Sequence, residues 1–63
     1  MTQKELLYVE DAIEHESCII DTLNYMENNL ESEELSSFVN DEIKNHTERK
    51  DTLINLLKEC SND

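Results

Sequence analysis

Apolar residues recur along this chain in two long stretches with helical spacing. In the first, Leu6, Ile13, Ile20 and Glu27 fall on one heptad line, and Val9, Glu16, Leu23 and Leu30 fall on the line beside it. Six of these eight positions are aliphatic, which defines one face of an α-helix. Glu5, Ala12, Ile19 and Met26 flank that face. The second stretch is less regular. Val39, His46, Leu53 and Cys60 form one line and Leu35, Glu42, Arg49 and Leu56 the next, with Phe38, Ile43 and Leu57 alongside. Its ends are apolar and its middle is polar.

The polar residues between these stretches mark helix ends. Thr2-Gln3-Lys4-Glu5 reads as a capping box, in which the hydroxyl accepts from the third amide and Glu5 reaches back to the first. Asn28-Asn29-Leu30-Glu31-Ser32 breaks the pattern. Without glycine, Asn is the best residue left for a left-handed C-cap. Ser32 reads as an N-cap, followed by Glu33 and Glu34 where the helix dipole favours negative charge. The expected plan is all-α and a single domain over 1–63: helix 1 over about 3–28, a turn at 28–32, and helix 2 over about 33–60. Ser61-Asn62-Asp63 is expected to fray. A short connection makes the two helices an antiparallel hairpin, each about 40 Å long.

Composition narrows the picture. The chain has 63 residues with no Gly and no Pro, which argues for helices against tight β-turns. A core from so few residues is marginal. The apolar stripe is also wider than one partner helix covers, so the hairpin is expected to form a homodimer, a four-helix bundle. This layout resembles that of Rop, the plasmid copy-number regulator, also a short helical hairpin that dimerises. The resemblance is one of layout, because Rop binds RNA through a basic face that this chain lacks.

Sixteen acidic residues against five basic ones give a net charge of −11. That charge opposes direct binding to nucleic acid or to an anionic membrane and favours a basic protein partner. The longest apolar runs are too short to span a membrane, and the first residues lack the basic and apolar regions of a signal peptide. A cytoplasmic location is expected. Cys18 and Cys60 lie roughly 20 Å apart along the bundle in this plan, beyond disulfide reach. No phosphate loop, catalytic triad or Cys-x-x-Cys motif is present, so the chain reads as no enzyme and as needing no cofactor.

Two groups of residues carry candidate chemistry. Folding the hairpin about residues 30–32 sets Glu16 level with His46, one turn from Glu42 and Arg49. These four form a polar core layer, read as a buried salt bridge between Glu16 and Arg49 completed by His46 and Glu42. The alternative is a metal site from Glu16, Glu42 and His46, doubled in a dimer. In that respect the chain is similar to the half-ferritin type of ferritin-like protein, in which two hairpins assemble one di-iron centre. It departs from that family's Glu-x-x-His motif: in Glu42-Ile43-Lys44-Asn45-His46 the residue three before the histidine is Ile43, and Arg49 brings positive charge.

The second group lies on the outer side of helix 1. Tyr8, His15, Cys18 and Tyr25 lie near one line, with Asp11, Glu14 and Asp21 around them. Aromatic residues on a charged face are interface material. The leading expectation is therefore a small interaction module, an adaptor, regulator or inhibitor, that docks this strip on a basic partner. In its sharpest form the acidic rod imitates nucleic acid and blocks a DNA- or RNA-binding protein.

Overall fold

The computed structural model describes the backbone of residues 1–61 and the side chains of residues 1–59. Two helices, α1 (Gln3–Glu27) and α2 (Glu33–Ser61), pack against each other as a hairpin. The rod measures 47 × 14 × 11 Å, so it is only one helix deep. Among the described residues no helix is long and apolar enough to cross a membrane.

Local chemistry sets the helix ends. At the start of α1 the Glu5 amide donates to the Thr2 hydroxyl at 3.1 Å, and the Thr2 amide donates to the Glu5 carboxylate at 2.8 Å. This is the full capping box. The backbone amide of Thr2, then its hydroxyl, hold the Glu5 carboxyl below its ordinary range. At the start of α2 the Leu35 amide donates to the Ser32 hydroxyl at 3.3 Å, with Glu33 and Glu34 in the first turn.

The C-terminus of α1 corrects one expectation. Asn28 caps it in the right-handed region, φ −68° and ψ −14°, and no described residue has positive φ. A left-handed cap is unnecessary because other donors serve the last carbonyls. The Asn28 amide reaches the Asn24 carbonyl, the Asn29 amide reaches that of Met26, and the Asn29 side-chain amide reaches that of Tyr25 at 2.7 Å. The chain thus leaves α1 through a tightened last turn rather than a conformation that costs a non-glycine residue strain.

A second correction concerns the face of α2. The line Leu35, Glu42, Arg49 and Leu56 was expected in the seam. The seam instead takes Ser36, Ile43, Lys50 and Leu57 beside Val39, His46 and Leu53. Leu35, Phe38 and Leu56 remain 54, 62 and 43 % exposed. Both candidate lines carry two aliphatic residues, so apolar burial alone does not choose between them. Polar pairing does. The observed face sets Ser36 against Glu27, where its hydroxyl donates to the carboxylate at 2.6 Å, and Lys50 lies at the seam edge.

The core that results is thin. Val39, 2 % exposed, is the buried apolar side chain among the described residues, and Glu16, 8 % exposed, is the buried charged one. Leu6, Val9, Ile13, Ile20 and Leu23 of α1 are half-buried against α2.

Candidate functional site

Glu16 stands on the inward line of α1, between Ile13 and Ile20, and cannot turn to solvent without leaving the seam. Its partners come from α2. The His46 Nδ1 lies 2.5 Å from Glu16 Oε2, a short hydrogen bond in which the imidazole N–H donates to the carboxylate. The Arg49 guanidinium approaches the other oxygen, Oε1, at 3.6 Å. On the far side of the ring, His46 Nε2 faces Glu42 Oε2 at 3.5 Å, a charge contact rather than a hydrogen bond. Arg49 Nη1 also comes within 3.5 Å of His46 Nδ1. With the Nδ1 proton directed at Glu16, that approach is donor to donor and adds no bond.

The structure therefore brings Glu16, Glu42, His46 and Arg49 together, with roles that differ from the expected ones. His46 rather than Arg49 is the principal partner of Glu16. Glu42 and Arg49 sit on the hairpin's edge, their side chains 35 and 58 % exposed. The hydrogen bond from His46 lowers the pKa of Glu16, against the upward push of burial, and the charges of His46 and Arg49 lower it further. A buried carboxylate is thereby kept ionised and satisfied. Among the described residues no group of three or more His, Cys, Asp or Glu is arranged to hold a metal ion. Glu16, Glu42 and His46 do converge, but both imidazole nitrogens face carboxylates and the arginine fills the side a cation would take.

Sequence reasoning missed a second polar layer one end nearer the turn. Glu27 accepts from Ser36 through Oε1, while its Oε2 is buried without a hydrogen-bond partner. The signal was present: Glu27 occupied an inward position, and the pairing that set Glu16 beside His46 also brings Glu27 level with Ser36. Beside the turn, a hollow of about 500 Å³ lined by Leu30, Ser36, Asn40 and Asp41 among others lies open to solvent.

The outer strip of α1 is solvent-facing throughout. Tyr8 and Tyr25 are 60 and 72 % exposed, and Asp11, Glu14, His15 and Asp21 are exposed as well. Lys4 holds its ammonium 6.0 Å from the centre of the Tyr8 ring, the outer range of a cation–π contact. Cys18 is a free, exposed thiol, while the side chain of Cys60 and the residues Asn62 and Asp63 lie outside those described. The chain matches no protein-family model, no curated protein and no solved structure.

Proposed function

We propose that this chain is a non-catalytic, acidic protein–protein interaction module that docks on a basic partner, and that two copies associate into a four-helix bundle. The observation that carries the docking reading is the outer strip of α1: two exposed tyrosines, Tyr8 and Tyr25, set among exposed Asp11, Glu14 and Asp21 on a chain of net charge −11. Amphipathic rings with two rotatable bonds bury area at low entropic cost, and surrounding carboxylates steer a cationic surface towards them. A basic partner that ordinarily binds nucleic acid would meet carboxylates where it expects phosphates, and the module would act on it as an inhibitor.

Affinity capture from the native host, followed by titration of the purified captured protein at stepped ionic strength, tests this reading. Affinity should fall steeply with salt, and a Tyr8→Ala, Tyr25→Ala double variant should lose binding while keeping its helicity. Binding indifferent to salt, or unchanged in the double variant, would overturn it.

A further inference from the structure

The α1–α2 seam leaves the hairpin two long flanks, and they differ in character. In an antiparallel pair, the residues just before the first seam line of each helix fall on the same flank. From α1 that flank takes Glu5, Ala12, Ile19 and Met26, with Tyr8 at its margin, and from α2 it takes Leu35, Glu42, Arg49 and Leu56, with Phe38 at its margin. The opposite flank takes Glu10, Ser17 and Asn24 from α1 and Asn40, Thr47 and Ile54 from α2. One flank thus carries most of the exposed large apolar side chains, Tyr8, Met26, Leu35, Phe38 and Leu56, around the charged Glu42 and Arg49, and the other line is polar but for Ile54.

The apolar flank has a symmetry of its own. Along α2 its edge reads Leu35, Glu42, Arg49, Leu56, each seven apart. Turned end for end about the height of Asn45 and His46, this line sets leucine on leucine and the acid on the base. His46 is level with Glu16, and Ser36 with Glu27, so the same height on α1 is Ser17. Turned about Ser17, Tyr8 falls opposite Met26 and His15 opposite Ile19. The α2 line is self-complementary about this level, and α1 sets Tyr8 beside Met26 at the same level, which is the self-complementarity an isologous two-fold interface requires.

We infer that the apolar flank is covered by a second copy of this chain, packed with its turn at the opposite end, so that α2 runs antiparallel to α2 of the other copy. Glu42 then meets Arg49 of the second copy, and the reverse, while Leu35 and Leu56 close over each other. The pairing gives the edge positions of Glu42 and Arg49 a use: beyond their contacts to His46 and Glu16, their exposed sides neutralise one another across the interface. Most of the acid, including Asp11, Glu14 and Asp21 with Tyr25 among them, points away from the partner copy, while Tyr8 borders the interface opposite Met26. This inference rests on the reading that two copies associate, and adds which flanks meet and in which sense.

Charge exchange tests it on the full-length chain by sedimentation equilibrium. Glu42→Arg and Arg49→Glu should each weaken self-association roughly tenfold, by setting like charges opposite each other. An equimolar mixture of the two variants should recover it, because the heterodimer restores both opposite-charge pairs. Arg49→Glu also places a carboxylate near Glu16, so crosslinking supplies a second readout that spares the layer. In a Cys18→Ser, Cys60→Ser background, Asn45→Cys should oxidise to a disulfide dimer. Leu35→Cys should not crosslink to itself but should crosslink to Leu56→Cys when the two are mixed. A chain that stays monomeric, a mixture that fails to recover, or Leu35→Cys crosslinking to itself would overturn the inference. A monomer that still captures a basic partner in a salt-sensitive way would sink the dimer and spare the docking. A symmetric dimer with no such partner would do the reverse.

Discussion

Replacing Val39 by alanine tests the face of α2 directly. Val39 is 2 % exposed and lies on the line that packs into α1. The substitution removes two buried methyl groups, about 1.6 kcal/mol at ~0.8 kcal/mol each, and an unrelaxed cavity brings the loss to about 2 kcal/mol. A chain of this length shifts by roughly 4–8 °C per kcal/mol, so the melting midpoint should fall by about 8–16 °C. The assay is thermal melting followed by far-ultraviolet circular dichroism. It is run at the lowest workable concentration, so that self-association contributes least. Two comparisons give the number meaning. Leu7→Ala, on the exposed side of α1, should stay within ~0.5 kcal/mol of the parent. Leu35→Ala should do the same when dilute and become costly as the concentration rises, because Leu35 is buried only by a second copy in the arrangement proposed here. If Leu35→Ala in dilute solution lowers the midpoint as far as Val39→Ala does, α2 packs on the Leu35 line and the observed seam is wrong.

Other outcomes follow from individual contacts. Glu16 has a depressed pKa in the folded chain, so its contribution to stability is present above its ordinary value of 4.5 and is lost as the pH falls through the folded value. Acid also relieves the repulsion of a −11 chain, so the readout is the difference between parent and Glu16→Gln in denaturant midpoint across pH. That difference should narrow below pH 4.5, and parallel curves would refute the role given to the carboxylate. Thr2→Ala removes the acceptor for the Glu5 amide and should cost about 1 kcal/mol in urea unfolding; no measurable change would mean that the first turn of α1 is frayed. Cys18 is exposed and should react with a thiol reagent under native conditions without denaturant, whereas protection released only by denaturant would show that something covers this face.

The hairpin was legible because its signals were redundant. The α1 heptad, the Thr2–Glu5 box and the polar break at residues 28–32 all point to the same ends, and they could be read without any tertiary information. The face of α2 was not legible, for a physical reason. Ser36 and Lys50 look like surface residues and Leu35 and Leu56 like core, yet each line carries two aliphatic residues, so a hydrophobicity count does not separate them. What decides is a contact from the other helix, Glu27 with Ser36, and a periodicity read along one helix does not contain it. The same misreading assigned Glu16 to Arg49, which the observed face moves outward. The pairing heights survived because they depend only on where the turn falls.

Glu16 then has a use that its energy alone would not explain. Buried ionic pairs contribute little net stability relative to apolar residues, but a broken one is costly, and so they select arrangements. A hairpin with a thin aliphatic seam could slide by one helical turn and lose little apolar contact. Sliding would carry Glu16 away from His46 and Glu27 away from Ser36, leaving two carboxylates in the seam without donors. The polar layer therefore fixes the register. It also lies midway along the rod, at the level about which the Leu35–Leu56 line reverses onto itself. A one-turn slip would displace α1 from that level relative to α2, and the proposed two-fold would no longer match both helices together. On this reasoning the carboxylate among the isoleucines makes the hairpin adopt one register, and only that register presents a flank that a second copy can cover.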